Sequence, residues 1–291
     1  MGAGSILDSI CTWTCNCYPD ARIRTYYWWQ AMTRPVSAQD LLKLDTRLRV
    51  ECLQKTERPN QVIWQAAKQD YYEGAIADKE PPPEDEAGRW VVDTLLGNDR
   101  SHWGPTEGPQ ITLNVIGFPH SVMQQARTHR VGVTFDCQSM RYTGKRIQRL
   151  VEKIESPDYL YPYDDILDIF YTRPPGFYTD RKGAKYEVSN VAYKQQLMWH
   201  SGSAQRYNML VADGYAEEHA RDQLNFGFRQ NFVVSFNLRS ALHFLDLRAK
   251  RDAQLEIQAM CEAMVPHLRS WSPEIMDYYM NKRYGKARLS P

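Results

Sequence analysis

Two periods of apolar spacing run along the chain. Leu41, Leu42, Leu44, Leu48 and Val50 recur at helical spacing, which predicts a helix over 37–55 with Ser37 as its cap. A second helix is expected over 60–77, after Asn60. Pro81, Pro82 and Pro83, followed by Glu84, Asp85 and Glu86, mark an exposed loop. The β-prone run Thr112–Phe118 predicts a strand, and Pro119 lets a helix begin near Ser121 and lead into Arg127, Thr128, His129 and Arg130. Residues 158–190, rich in Tyr, Asp, Pro and Gly, predict a long excursion with hairpin character. A helix over 214–221, a strand over 230–237 and a helical tract over 238–268, broken near Lys250–Arg251, complete the pattern. No repeat of this pattern occurs.

Composition narrows the class. The 291 residues are 43% hydrophobic and 24% charged, the balance of a globular domain rather than a disordered chain. No apolar run is long enough for a membrane helix, so no membrane partner is expected. Thirty-six basic against 35 acidic side chains leave a net charge of +1, which argues against bulk binding to nucleic acid or anionic lipid. Three of the six cysteines, Cys11, Cys15 and Cys17, crowd the N-terminus but lack a fourth ligand and the usual zinc spacing, so no metal is expected. With no secretory signal, the reading is a cytoplasmic protein with reduced thiols. Tyr26, Tyr27, Trp28 and Trp29 lie among Arg22, Arg24 and Arg34. Such a segment either packs on the body or a second subunit, or stacks single-stranded bases; the low net charge favours packing.

Chemistry concentrates in two segments. The first, 125–142, holds Gln125, Arg127, His129, Arg130, Asp136, Gln138, Ser139, Arg141 and Tyr142. Guanidinium forks bind phosphate or carboxylate bidentately, although the same density also suits a solvated face of ion pairs. The second, 237–248, sets Arg239, His243 and Asp246 on one side of a largely apolar helix, with Arg248 nine residues after Arg239 and so on the opposite side. Buried, opposed arginines imply two ligand sites, or one ligand site and one subunit contact; structural salt bridges are the alternative. No Gly-rich dinucleotide loop, G-x-S-x-G elbow, Walker loop or H-E-x-x-H is present, which leaves hydrolase and P-loop chemistry without support.

These two segments resemble the motifs of the flavin-dependent thymidylate synthases. Thr128-His129-Arg130 and Ser139-Met140-Arg141-Tyr142 resemble that family's R-H-R and S-x-R-Y runs. Asn237, Arg239, Ser240, His243, Phe244, Leu247 and Arg248, then Ala253-Gln254 and Glu256-Ile257, resemble its second block. Glu218, Ala220 and Arg221 match its E-x-A-R, and Pro105 and Glu107 its P-x-E. The chain departs from the pattern at Thr128, at Gly108 where the family has histidine, and by one added residue before Ser139. That addition leaves the motif's acidic position on Asp136 or on Cys137, with Asp136 the chemically sensible choice.

The resemblance implies an α+β fold, a single mixed domain with helices packed on a small twisted sheet. Residues 1–55 would be an N-terminal arm and helix, 56–291 the synthase domain, and 158–190 an inserted excursion. It implies conversion of dUMP to dTMP, with methylenetetrahydrofolate supplying carbon, FAD supplying hydride and NADPH reducing the flavin, in a homotetramer whose sites are shared between subunits. Thr128, His129, Arg130, Asp136, Asn237, Arg239 and His243 would hold the flavin. Gln125, Ser139, Met140, Arg141, Tyr142 and Arg221 would bind the nucleotide, and Arg248 would bind it and favour ionisation at uracil N3. Such an enzyme needs no cysteine nucleophile, and Cys137 has no evident activating base. Two rivals remain: a deoxycytidylate C5-methylase or hydroxymethylase on the same scaffold, and a non-catalytic nucleotide- or single-strand-binding protein. The first sets the cytosine 4-amino donor against a donor-only guanidinium.

Overall fold

A computed structural model describes residues 34–97, 100, 102–157 and 163–286. The aromatic–arginine segment up to residue 33, and Cys11, Cys15 and Cys17 within it, lie outside the described residues. The chain opens with α1 (Ala38–Leu44), β1 (Arg49–Lys55), α2 (Pro59–Gln69) and α3 (Glu84–Val91). Next come β2 (Gln110–Pro119), α4 (His120–Ala126), β3 (Val133–Cys137) and the single turn α5 (Met140–Thr143). The middle holds α6 (Lys145–Glu155), α7 (Tyr163–Ile169), the hairpin β4 (Gly176–Thr179) and β5 (Lys185–Val188), then the long α8 (Asn190–Ala212). The chain closes with α9 (Glu217–Ala220), β6 (Arg229–Asn237), α10 (Leu238–Arg248), α11 (Leu255–Trp271) and α12 (Pro273–Lys282).

Four strands form one antiparallel sheet in the order β1-β2-β6-β3. Ile111, Leu113 and Val115 of β2 and Phe232, Val234 and Phe236 of β6 alternate into a core that they share with α10, α11 and α12. Ile147, Leu150, Ile166, Leu197 and Tyr207 form a second, smaller core between α6, α7 and α8. Among the described residues no helix is long and apolar enough to cross a membrane.

The N-terminal elements depart from the sequence pattern. The helix expected over 37–55 stops at Leu44, and Arg49–Lys55 is the edge strand β1. Leu48 and Val50 lie two apart and face the core together, which is strand periodicity. α2 ends at Gln69, whose Nε2 donates to the Tyr72 and Gly74 carbonyls and turns the chain well before residue 77. Glu84, Asp85 and Glu86 are the first turn of α3, not loop, where acidic groups face the positive helix end. The helix expected over 214–221 is reduced to α9 and the turn Arg221–Gln223. β3 is an additional strand, paired to β6 with Asp136 opposite Val233.

Candidate active site

α4 carries Gln125 in its last turn and hands the chain to a tight turn in which the Thr128 hydroxyl donates to the Gln125 carbonyl at 2.8 Å. Across from it, Arg248 ends α10. Its Nε donates to His129 Nε2 at 2.9 Å, and its Nη2 to Thr128 Oγ1 at 2.7 Å and to the Gln125 carbonyl at 3.2 Å. His129 is buried, its ring edge-on to His243 at 5.5 Å and tilted on Phe244 at 4.8 Å. An imidazole that accepts at Nε2 carries its proton on Nδ1 and is neutral. Burial, Arg248 and His243 together push the His129 pKa down to about 4, in keeping with that state. Burial also holds the Arg248 pKa below its ordinary value. Among the described residues the guanidinium is gripped by neutral acceptors alone, its charge uncancelled by them.

The turn after Arg130 is joined to the start of α10. Gly132 has φ of +64°, and an added Cβ would lie 2.3 Å from both Asn237 Nδ2 and Ser240 Oγ. Its carbonyl accepts from the Asn237 amide at 3.0 Å, and Ser240 Oγ donates to the Val131 carbonyl at 2.7 Å. Asn237 caps α10 by accepting from the Ser240 amide at 2.8 Å. Arg239 pairs with Glu107 at 2.6 Å, its side chain 38% exposed, so it is not the buried arginine that the helix pattern implies. Asp246 shares the Arg239–His243 side of α10, as its spacing implies, but is buried there against Arg283 and Tyr279. Gly108 packs against Val62, where an added Cβ would approach to 3.2 Å.

A cavity of about 550 Å3 lies beside this seam and brings together Arg127, Ser139, Met140 and Arg221 with His120 and Gln230. His120 Nδ1 lies 2.7 Å from Gln230 Oε1, and Gln230 Nε2 donates to the Gln138 carbonyl at 3.0 Å. Cys137 also lines the cavity; Asp136, its neighbour on β3, is exposed and does not. Arg141 is exposed with Glu218 3.7 Å away, and Tyr142 is exposed beside it. Thus Gln125, Thr128, His129, His243 and Arg248 meet at one seam, and Ser139, Met140 and Arg221 at the adjoining cavity. Arg130 is exposed just past the seam, with no ion pair among the described residues.

Sequence reasoning passed over several participants. His120 and Gln230 carry no local signal, because only the pairing of β2 with β6 makes them neighbours. Gln254 and Glu256 are quoted in the A-Q-x-E-I run, yet nothing there shows that Gln254 reaches Gln125, which donates to it. Arg173 and Tyr171, both bound to Glu256, lie in the excursion.

Comparison with known proteins gives the family and the fold. The family model described as thymidylate synthase complementing protein matches residues 51–274. The flavin-dependent thymidylate synthase of Haloarcula marismortui is 30% identical over 83% of this chain and 99% of its own. That of Halobacterium salinarum is 29% identical over 84% of this chain and 100% of its own. Among solved structures, the flavin-dependent thymidylate synthase of Helicobacter pylori, complexed with FAD and dUMP, superposes with a TM-score of 0.55. That match has 16% identity and covers 75% of this chain and 92% of the other. The UMP/dUMP methylase PolB of Streptomyces cacaoi, bound with 5-Br dUMP, gives 0.57 at 18% identity, covering 84% and 97%. The fold is therefore that α+β architecture, and with its family match and its near full-length relatives the chain belongs to the flavin-dependent thymidylate synthases.

Proposed function

We propose that this protein converts dUMP, methylenetetrahydrofolate and NADPH into dTMP, tetrahydrofolate and NADP+, with FAD as its resident cofactor. The observation that carries this reading is Arg248, held by His129, Thr128 and the Gln125 carbonyl with no carboxylate partner among the described residues. A fixed cation with uncancelled charge stabilises a developing anion without reorganisation. Placed against the uracil edge, it favours loss of the N3 proton and makes C5 more nucleophilic. Cytosine has no such proton, and its 4-amino group would meet a donor.

The donor set fits a flavin. Arg130 is exposed and free of ion pairs among the described residues, which suits an anionic pyrophosphate. Thr128, His129, Asn237, Arg239 and His243 line the turn and the helix face beside it, with Asp136 on the adjacent strand. FAD, when bound, supplies the hydride that converts the transferred methylene into methyl. The chain's own part is to bind and orient. Gln125, Ser139, Met140, Arg141, Tyr142 and Arg221 hold the nucleotide, with Arg141 and the Ser139 region on its phosphate. No thiolate is required of Cys137. The FAD and dUMP of the Helicobacter pylori structure support this ligand pair.

The working form is a cytoplasmic homotetramer with shared sites. Val191, Met198, Trp199 and Met209 leave exposed apolar surface on α8, which supports a subunit contact there. Cys52, Cys137 and Cys261 are free thiols, in keeping with a reducing compartment. The test is the visible spectrum of the purified protein before and after anaerobic NADPH, followed by paired turnover with dUMP and dCMP. A flavin spectrum that bleaches, with dTMP as product, is expected. A colourless protein that takes up no FAD overturns the synthase reading, and preference for dCMP overturns the substrate.

A further inference from the structure

We propose that Glu256 and Gln254 are positioning residues that fix which end of the Gln125 side-chain amide faces the pyrimidine, with Arg173 of the excursion as their anchor. The inference rests on the reading of Gln125 as a nucleotide contact. Its starting point is a fully buried carboxylate. Glu256 Oε1 accepts from Tyr171 Oη at 2.9 Å, Arg173 Nε at 2.9 Å and Arg173 Nη2 at 2.7 Å. Its Oε2 accepts from Gln254 Nε2 at 2.7 Å.

An ionised carboxylate accepts and never donates. Gln254 must therefore turn its NH2 toward Glu256, which turns its oxygen toward Gln125. Gln125 answers with its own NH2, which donates to Gln254 Oε1. Ser121 supports the same directions: its Oγ accepts from Gln254 Nε2 at 3.3 Å and its carbonyl approaches Gln125 Nε2 at 3.4 Å. What remains is Gln125 Oε1, engaged by no described residue. A lone glutamine amide reverses at little cost; here each amide is held by the next, back to a carboxylate locked by Arg173. The acceptor so presented belongs to the residue whose main-chain carbonyl accepts from Arg248 Nη2 at 3.2 Å, so an acceptor and a donor-only guanidinium stand on neighbouring parts of one seam. Such a donor–acceptor pair matches the alternating carbonyl and N–H edge of a pyrimidine base. The excursion thus contributes to substrate binding from behind, although it lies outside both motif blocks.

The direction of the relay can be reversed and restored. In Glu256→Gln, Arg173 and Tyr171 keep the new amide oxygen toward themselves, so its NH2 points at Gln254. Gln254 then reverses, and Gln125 shows its NH2 to the nucleotide. In the double variant Gln254→Glu/Glu256→Gln, the carboxylate at position 254 accepts from both sides and Gln125 regains its orientation at unchanged net charge. Calorimetric dUMP binding to the FAD-loaded protein should weaken about tenfold in Glu256→Gln and return to within about threefold of wild type in the double variant. A double variant no better than Glu256→Gln overturns the relay, because a merely structural carboxylate gives no rescue. Should Glu256→Gln not fold, Gln254→Met cuts the link and leaves the Arg173–Glu256 pair intact. The same tenfold weakening is expected there, and unchanged dUMP affinity overturns the proposal. Thermal midpoints provide a ligand-free reading: Gln254→Glu alone opposes two carboxylates and should melt below the double variant. A double variant that melts lower than either single one also overturns the relay. If wild type itself binds no dUMP, the synthase reading falls, and the midpoints still decide the relay.

Discussion

Arg229 and Arg248 are both held by backbone and side-chain acceptors, yet they do opposite things. Arg229 is 2% exposed, donates to the Gly117 carbonyl and to the Leu167 carbonyl at 2.6 Å, and closes on the carboxylate of Asp45. Each nitrogen of its fork donates to protein, and its charge is cancelled where it stands. Arg248 is half-buried and has a histidine, a hydroxyl and a carbonyl as partners, with no carboxylate among the described residues. The first arginine ties α1's exit, β2 and β6 together. The second retains a charge that an anionic ligand can use. Whether a carboxylate is among the partners separates a brace from a binding group more sharply than burial does.

That contrast can be broken from either side. Arg229→Leu strands a buried Asp45 carboxylate and is expected to cost about 3–5 kcal/mol in urea unfolding. A loss below about 1 kcal/mol would show that the brace is not one. Arg248→Ala should do the reverse. We expect dTMP formation to fall about 100- to 1,000-fold while FAD stays bound and the unfolding midpoint barely moves. Wild-type turnover would remove Arg248 from the chemistry.

His129 allows a finer test. Burial lowers the pKa of both His129 and His200 to about 4, against about 6.5 in the unfolded chain. Between those values the unfolded chain binds more protons, so stability is complete above about pH 6.5 and falls as pH drops toward 4. A protonated His129 also cannot accept from Arg248, and dUMP affinity should weaken only as pH nears 4, where folded His129 titrates. In His129→Gln the thermal midpoint should depend less steeply on pH between about 4 and 6.5; an unchanged slope would show that His129 titrates normally. The smallest effect belongs to Cys137→Ala. Cys137 lines the cavity, but His120 there has both ring nitrogens on Gln230 and Gln124 and no described residue bonds the thiol, so turnover should stay within about twofold. Total loss with FAD bound would make the thiol a participant.

Long periodic or β-prone segments are legible in the sequence because their partners are predictable from their own spacing. The runs that became β2, β6 and the α10–α11 pair lie where the pattern puts them, with the break between Ala249 and Gln254. The region after Leu44 is not legible. Asp45 is held there by an arginine 184 residues later, and Leu48 continues the helical spacing of Leu41 and Leu44 until β2 supplies the pairing. The candidate site divides in the same way. Thr128, His129 and Arg248 carry motif signals, and their meeting only adds distances. Arg173, Gln230 and His120 join through tertiary contacts, and nothing local distinguishes them from solvated residues. The arginine pattern on α10 also misleads: helical phase separates Arg239 from Arg248, but exposure depends on Glu107, which comes from another segment.

The left-handed turn at Gly132 has a consequence for how this protein changes over generations. Because any side chain there would strike Asn237 and Ser240, the arginine-rich loop and the start of α10 fit only each other. The two motif blocks are coupled by this close packing despite the hundred residues between them. A chimera that joins the loop of one relative to the helix of another should fold where the loop keeps its glycine and the helix its Asn and Ser, and a larger residue in either block is expected to need a compensating change in the other.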